Sequence, residues 1–263
     1  MQKIIMIFLL TSTLFSASFS ARYTVNVSMF GKVGYIDLNL NEKFNKYTIK
    51  MVAKTTGTAA KLTGDRLETY VSKGTIVDSK YIPELFIKVK KTNRKTRTQT
   101  YTFNHDEKTI TLVEEKEKLI SSTEFNPMSF KIEQKESIKK TKNTKIMDKY
   151  VPDDVLSSFM NTTNHLNKQH SYKLEAIGAH NDKKDVNLYL LNDSQKEKVA
   201  SDFSKNIAHV CNLNVKPHDS DDKTVDILIG FDNNGNMKEA VLGDIFWIGK
   251  ITATRLYYKS NCD

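Results

Sequence analysis

The segment from Asp65 to Lys118 constrains the fold most, because polar and apolar side chains alternate along it in four successive stretches. Alternation with a period of two is the pattern of a β-strand that buries one face and exposes the other to water. In the second stretch the two faces are Tyr81, Leu85, Ile87 and Val89 on one side and Glu84, Lys88 and Lys90 on the other. Turn-forming residues separate the stretches at Lys73-Gly74, Thr92-Asn93 and His105–Lys108. The segment therefore predicts an antiparallel meander of four strands.

The same alternation extends over most of the remaining chain. A strand from Tyr23 is interrupted by a bulge at residues 31–34, resumes as far as Leu40 and returns from Tyr47, which makes a long hairpin. A helix is predicted from Pro152, because proline and the two aspartates after it suit the first turn of a helix. Further strands follow towards the C-terminus. The predicted fold is mainly β: a large antiparallel curved sheet or a barrel-like meander, with one or two short helices.

Residues 1–20 have the features of a signal peptide. Lys3 supplies positive charge, Ile4–Leu10 an apolar run, and Ser18-Phe19-Ser20 puts small residues at the positions that a signal peptidase recognises. We expect cleavage before Ala21, so that residues 21–263 form a single β-rich domain exported to the periplasm. No later segment has the ~18 to 20 continuous apolar residues of a membrane helix, so the mature chain is predicted to contain no transmembrane segment.

Motifs that would mark an enzyme are absent from the sequence: it has no GxSxG elbow, HExxH pair, phosphate loop or dinucleotide fingerprint. We therefore predict no catalytic residue, no metal ligand and no cofactor, and the export signal argues against a nucleic-acid partner. The alternative is an envelope hydrolase whose polar residues meet only in the folded chain. The candidates for such a site are Asp153, Asp154, His165 and His180.

The two cysteines, Cys211 and Cys262, leave two alternatives open. A bridge between them in an oxidising compartment would hold the C-terminus in place and contribute about 4 kcal/mol to stability. The other alternative is two separate thiols. No CxxC motif or Cys/His cluster indicates redox or metal chemistry.

The formal net charge is +9, and lysines and arginines concentrate at one hairpin and in a later stretch. The candidate contacts for an anionic surface are Lys88, Lys90, Lys91, Arg94, Lys95, Arg97, Lys139, Lys140 and Lys142. Such clusters can meet lipid headgroups or polyanionic glycans. The alternative is that these lysines only keep the sheet edges soluble and unpaired.

The apolar faces of the strands support a ligand-binding hypothesis. A sheet of roughly ten strands must curl or close, and closed barrels of about that size can hold an apolar ligand. The candidate lining residues are Tyr81, Leu85, Ile87, Tyr101, Phe103, Phe246 and Trp247. The alternative is an interior filled by side chains. The predicted function is an exported, non-enzymatic module that binds an apolar or lipid-like ligand or scaffolds envelope partners; the oligomeric state is not predicted.

Several short motifs resemble an uncharacterised exported bacterial family, the domain of unknown function 3108. These motifs are Phe30-Gly31-Lys32-Val33-Gly34, the small-residue turn at 56–61, Asp65-Arg66-Leu67-Glu68-Thr69-Tyr70, the strand with Pro83, Tyr101-Thr102-Phe103-Asn104 and Asp153-Asp154-Val155-Leu156-Ser157-Ser158. The sequence departs from the family at Asn104, where an aspartate is expected, and in a lysine-rich insert beyond Lys131. The resemblance implies an antiparallel, barrel-like envelope protein and implies no catalytic residues.

Overall fold

The computed structural model describes residues 17–128, 130–163, 171–178, 186–203, 207–215, 225–245 and 249–262. The strands are β1 (Ala17–Val27), β2 (Gly31–Lys43), β3 (Lys46–Thr55), β4 (Leu67–Val77), β5 (Lys80–Lys91), β6 (Lys95–Asn104), β7 (Thr109–Asn126), β8 (Lys131–Ile146), β9 (Asp153–Asp154), β10 (Ser171–Leu174), β11 (Ala176–Ile177), β12 (Val186–Leu190), β13 (His209–Val215), β14 (Val225–Phe231), β15 (Met237–Ile245) and β16 (Gly249–Cys262). The helices are α1 (Gly57–Thr63), α2 (Val155–Thr163) and α3 (Asp193–Val199), and a 3₁₀ turn covers Ala200–Asp202.

Fourteen of these strands form one antiparallel sheet in the order β10-β12-β13-β14-β15-β16-β1-β2-β3-β4-β5-β6-β7-β8. Sequence neighbours are spatial neighbours along most of the sheet, and the last strand pairs with the first, which joins the two halves of the chain. The predicted mainly-β, antiparallel fold is confirmed. Over the described residues the sheet ends at β8 and β10 and does not close into a barrel, and the α-helices number three instead of one or two.

The first hairpin differs from its prediction. Residues 28–30 form a full turn that the sequence did not predict, because the Phe30 amide donates to the Val27 carbonyl at 3.0 Å and β2 then runs back along β1. The bulge predicted at 31–34 is present at the start of β2: Val25 is opposite Gly34 and Asn26 is opposite Lys32, so Val33 has no opposite residue in β1. Gly31 has a φ of +65°, a backbone angle that residues with a side chain rarely adopt, and this glycine completes the reversal of the chain. β1 begins at Ala17, and Phe19 stacks on Tyr258 with ring centroids 5.5 Å apart. The predicted cleavage before Ala21 would remove that contact and remains a prediction.

The meander from Asp65 to Lys118 is confirmed as strands β4 to β7, but one of its turns was misplaced. The β4–β5 turn lies at Asp78-Ser79, where both residues have positive φ values of 49° and 62°, as a type I′ turn requires. Lys73-Gly74 lies inside β4. A Cβ atom at Gly74 would lie 1.9 Å from the Ile82 carbonyl oxygen, so this glycine permits a close approach of two strands.

A β-bulge at Glu84 reverses the faces that were predicted for β5. Lys73 pairs with Leu85 and Gly74 pairs with Pro83, so Glu84 has no opposite residue in β4. One extra residue moves every later side chain to the other face. Phe86, Lys88 and Lys90 therefore share one face of the sheet with Tyr81, whereas Leu85, Ile87 and Val89 lie on the opposite face. The sequence assignment of these residues after the bulge, except Phe86, was wrong.

One face of the sheet packs against α2 and is called the covered face. A central row of directly paired residues crosses it, namely Leu40, Ile49, Ser72, Phe86, Tyr101 and Leu112. Leu156 and Met160 of α2 are buried against this cluster, and each contributes about 2 kcal/mol through the apolar area it removes from water. Phe159 stacks on Phe231 and links the helix to a second cluster on β12–β14.

The role of Gly74 predicts that Gly74→Ala lowers the free energy of unfolding by about 2 kcal/mol or more, because the added methyl would overlap a backbone carbonyl. Chemical denaturation of native and variant chains measures this difference. Gly243→Ala is the matched control, since Gly243 also lies in a strand but has no atom within 4 Å of the added methyl. Equal stability of the two variants would contradict this account of the β4–β5 approach.

Candidate functional site

A buried hydrogen-bond network fixes α2 to the sheet. Asp154 immediately precedes the helix, and its Oδ1 accepts from the amides of Leu156 at 2.8 Å and Ser157 at 3.1 Å. The Asp154 amide donates to Ser157 Oγ at 3.0 Å, which completes a reciprocal N-terminal cap. The other carboxylate oxygen accepts from Ser72 Oγ of β4 at 2.5 Å, and Ser72 Oγ also lies 3.0 Å from the Tyr47 hydroxyl. The carboxylate therefore caps the helix and binds it to the sheet.

This position corrects one part of the helix prediction. The sequence placed Asp153 and Asp154 in the first turn, but they form the short strand β9, which pairs in parallel with β11, and the helix begins at Val155. A capping side chain lies outside the helix that it caps. A pair of aspartates at a helix start can therefore lie either in the first turn or just before the helix. The hydrogen bond from Ser72 holds Asp154 in the position before the helix.

Burial dominates the electrostatics of the network. Ser72 and Asp154 have no exposed surface. Burial raises the pKa of Asp154 to about 6, although the hydrogen bonds from Ser72, Ser157 and Leu156 act in the opposite direction. Burial also raises the pKa of Tyr47 far above its usual value. A serine and a carboxylate meet here, but no solvent reaches them, so the arrangement stabilises the fold and offers no access to a substrate.

Two side chains replace the missing ladder partners at the start of β5. The Asn161 amide of α2 accepts from the Tyr81 backbone N–H at 2.8 Å and donates to its carbonyl at 3.0 Å. His105 Nε2 donates to the Pro83 carbonyl at 2.6 Å, and its Nδ1 lies 2.6 Å from the Tyr150 hydroxyl. β5 pairs with β6 only from Leu85 onward. Before that point, the backbone groups of Tyr81 and the Pro83 carbonyl are hydrogen-bonded by side chains of α2 and of the β6–β7 turn.

The sealed region ends at Lys88. Gly178, just after β11, lies directly over the Phe86 ring with a φ of +92°, and a Cβ atom there would be 2.4 Å from the ring. Its carbonyl accepts from Lys88 Nζ at 2.8 Å. Lys88 also lies 5.5 Å from the centre of the Tyr70 ring, and its side chain is only 8 % exposed. Lys88 was predicted to be a surface contact for anions; it is a buried residue that closes the apolar core.

Beyond Lys88 the covered face carries charges. Glu68, Lys90, Arg97 and Lys116 are directly opposite one another across β4 to β7 and are called the charged row. Glu68 pairs with Arg66 and Lys90, and Glu114 pairs with Arg97 and Lys116. Four cations therefore share two carboxylates, and the cluster keeps an excess of positive charge.

The two carboxylates of this cluster are held in the ionised form. Burial alone would raise the pKa of Glu68, but hydrogen bonds from Tyr70 and Arg66 and the charge of Lys90 outweigh it and lower the pKa. The pKa of Glu114 is lowered in the same way by Lys116 and Arg97 against the effect of burial. Lys90 and Arg97 keep 29 % and 41 % of their side-chain surface exposed, so both can reach a molecule from solvent.

The same cross-strand row is apolar on the neighbouring strands. Glu68 is opposite Ala53 of β3, Ala53 is opposite Ile36 of β2, and Ile36 is opposite Tyr23 of β1. An open groove with a volume of about 320 Å³ lies over this part of the face. Its lining consists of Val25, Val33, Gly34, Tyr35, Ile36, Ala53, Lys54, Thr55, Thr63, Arg66 and Glu68. An apolar groove thus continues into the charged row.

Comparison with known proteins now places the chain. A family model described as protein of unknown function DUF3108 matches residues 19–254. The chain belongs to the DUF3108 family. The match includes the groove, the charged row and the α2 network, and it confirms the resemblance drawn from the sequence. No curated protein and no solved structure matches the chain.

The predicted lining residues occupy three different places in this DUF3108 chain. Tyr81, Tyr101 and Phe103 are buried in the main core cluster, where they pack on other side chains. Leu85 and Ile87 lie on the opposite face of β5, and Phe246 and Trp247 lie outside the described residues. The structure therefore does not bring the set together around one space, and the groove lies two rows away from the central core.

The predicted anionic contacts are likewise divided. Lys91, Arg94 and Lys95 are exposed around the β5–β6 turn, and Lys139 is exposed on β8. Lys140 and Lys142 of β8 pair with Glu117 and Glu115 of β7. Lys90 and Arg97 lie in the charged row. Lys90 is opposite Glu68, which lines the groove of the DUF3108 fold, and Arg97 follows Lys90 on the next strand.

Cys211 is a free thiol that is fully buried, and burial raises its pKa to about 12. The backbone of Cys262 pairs with Ala17, while its side chain lies outside the described part of the chain.

Two further observations bear on the remaining predictions. Within the described ranges no group of three histidine, cysteine or carboxylate side chains lies close enough to hold a metal ion. In the same part of the chain no helix combines the length and the apolar character needed to cross a membrane. His165 and His180, named as hydrolase candidates, lie outside the described residues.

Sequence reasoning missed most residues of the groove and the charged row. Val25, Ile36, Ala53, Glu68 and Lys116 are far apart along the chain, and only the register of seven neighbouring strands places them on one surface. The signal that would have found them is the pairing of adjacent hairpins. Turn positions set that register. The sequence prediction misplaced the β4–β5 turn and missed the bulge at Glu84, and these two errors were enough to give the wrong register.

The raised pKa of Asp154 predicts a pH-dependent stability. The folded chain holds the proton more tightly than the unfolded chain, so the contribution is complete below about pH 4 and is lost as the pH rises through about 6. We expect this group to lower the free energy of unfolding by about 3 kcal/mol in total, once the pH is well above 6. Asp154→Asn keeps the cap and carries no charge, so urea denaturation of this variant should lack that decline. The same pH dependence in native and variant chains would show that another group causes it.

Proposed function

We propose that this chain is a non-enzymatic, exported module of the cell envelope that binds a lipid-like amphiphile with an anionic head. The observation that carries the proposal is the row from Tyr23 to Lys116, which is apolar over β1–β3, carries Glu68 on β4 and is cationic over β5–β7. A ligand that spans the row needs an apolar end and a negative end. Export rests on the predicted signal peptide at residues 1–20.

The groove supplies the apolar half of the binding site. Its volume of about 320 Å³ is within the range of roughly 300–1,000 Å³ that is usual for small-molecule sites. Val25, Ile36 and Ala53 contribute its apolar surface, and its other end reaches Arg66 and Glu68. An alkyl chain in the groove would remove this surface from water, which is the main source of affinity for such ligands.

The charged row supplies the polar half. From Ala53 to Arg97 the row crosses three strand spacings, about 14 Å, so a short amphiphile can reach both ends. Exposed ion pairs are individually weak, which lets Lys90 and Arg97 turn from Glu68 and Glu114 towards a ligand anion. A guanidinium group binds phosphate or carboxylate oxygens through two parallel hydrogen bonds, and an ammonium group adds a point charge. The excess of cations favours an anionic head over a neutral one.

The geometry gives less support to the two alternatives. The hydrolase alternative needs two of Asp153, Asp154, His165 and His180 to meet in a pocket. Asp154 is fully buried beneath α2 and its oxygens are already hydrogen-bonded. Adhesion to anionic glycans would use the lysines of β8, of which Lys140 and Lys142 are paired with carboxylates of β7. Neither arrangement combines an apolar and a cationic surface.

Titration with two probes of equal chain length tests the proposal. We expect the exported chain to bind dodecyl phosphate more tightly than dodecanol, as measured by calorimetry. Combined Lys90→Gln and Arg97→Gln should weaken dodecyl phosphate binding by about tenfold or more and leave dodecanol binding unchanged, because two charge-assisted contacts are lost. Ala53→Phe should weaken both probes, because the new ring fills the groove.

Matched controls separate these effects from general changes in charge and packing. Combined Lys139→Gln and Lys142→Gln removes the same charge from β8, and Val52→Phe adds the same ring to the opposite face of β3. Both controls should bind like the native chain. The proposal fails if neither probe binds, if Ala53→Phe binds both normally, or if the charge variant retains its preference for dodecyl phosphate.

A further inference from the structure

A two-stranded arm projects beyond the sheet. The pairing of β6 with β7 stops where Lys95 is opposite Lys118. β7 and β8 continue to pair beyond this point, from the pair of Leu119 with Ile138 to the pair of Asn126 with Lys131. Residues 119–126 of β7 and 131–138 of β8 therefore form a two-stranded ribbon about 25 Å long that has no third strand among the described elements. Because β8 is also the edge of the sheet, the end of this arm is separated from the core and from the groove.

The end of the arm is apolar. Phe125, Met128, Phe130 and Ile132 surround its turn and are between 59 and 94 % exposed; these four residues are called the tip. Phe125 is directly opposite Ile132, and its ring meets Phe130 edge-on with centroids 6.1 Å apart. Apolar side chains scattered singly over a surface need no explanation, but a group concentrated at one projecting end does.

The size of the tip decides which surface suits it. A stable protein–protein interface buries about 600–1,000 Å² on each partner. Large side chains supply about 150–250 Å² each only when they are enclosed, so four of them on a narrow ribbon would reach that area only with a partner that surrounds the turn on all sides. A bilayer surface makes no such demand, since a few apolar side chains suffice for reversible binding at the level of the headgroups. The turn can enter the headgroup layer of the bilayer while its backbone groups remain in contact with water.

The charges near the tip do not select an anionic partner. Lys135 pairs with Glu124 at 3.4 Å, so the ribbon beside the tip carries both signs. The lysines Lys139, Lys140 and Lys142 lie about 20 Å or more behind Ile132 along β8, which is beyond the ~8 Å range of electrostatic attraction at physiological salt. Contact at the tip is therefore driven by apolar burial.

We infer that the tip inserts into the interfacial layer of a lipid bilayer and that the arm holds the domain at the membrane surface. This inference does not depend on the groove or on the identity of any ligand. Lys116 of the charged row and Phe125 of the tip lie on the same strand, so the arm would hold the domain with its charged row at a fixed distance from the bilayer.

Flotation of the exported chain with phosphatidylcholine vesicles tests the inference. We expect the native chain to float with the vesicles to the same extent at low and high salt and with or without added phosphatidylglycerol. Combined Phe125→Ser and Phe130→Ser should lower the partition coefficient by about tenfold or more, because two exposed rings are lost. Both residues are exposed, so the variant should retain the circular dichroism spectrum of the native chain.

The matched control removes exposed apolar surface elsewhere on the same strand. Ile138 and Ile146 are exposed on β8 away from the tip, and Ile138→Ser with Ile146→Ser should float like the native chain. A native chain that does not float, or a tip variant that floats normally, would overturn the inference. Binding that requires anionic lipid and disappears at high salt would also overturn it and would assign membrane contact to the lysines.

Discussion

The hydrogen bond from Ser72 to Asp154 fixes α2 on the covered face and so determines which part of that face is buried. A large open sheet has two faces to protect from water, and here a helix of nine residues covers part of one of them. Asp154 caps the helix and joins it to β4, while Asn161 joins it to β5. The helix is too short to be stable alone, so these contacts, together with Leu156 and Met160 in the core, keep it in place.

Because α2 covers only one end of the face, the other end remains available to solvent. Gly178 and Lys88 form the boundary: the glycine packs on Phe86, and the buried ammonium group binds the glycine carbonyl. Two positions further along β5, Lys90 belongs to the charged row beside the groove. A single sheet thus combines a sealed core with an open amphipathic surface, and the β7–β8 arm adds a separate apolar tip at its edge.

Local sequence patterns predicted the strands well and the faces of the strands poorly. Alternation located β4 to β7, and proline with two aspartates located the start of α2, because both signals depend on neighbouring residues. The bulge at Glu84 carries no local signal, yet it exchanged the faces of Phe86 and Leu85. The turn at Asp78-Ser79 lacks the glycine that usually marks such turns, so the nearby Lys73-Gly74 gives the stronger turn signal in the sequence.

The candidate site was harder to predict, since Ile36, Ala53, Lys90 and Lys116 meet only through registers set by several turns in succession.

Lysine footprinting with an acylating reagent and mass spectrometry most directly tests the division of the covered face into a sealed core and an open charged row. The account predicts that Lys88 is unreactive in the folded chain, that Lys90 and Lys116 react, and that dodecyl phosphate protects these two but not Lys139. Equal reactivity of Lys88 and Lys90, or no protection of Lys90 by a bound amphiphile, would contradict it.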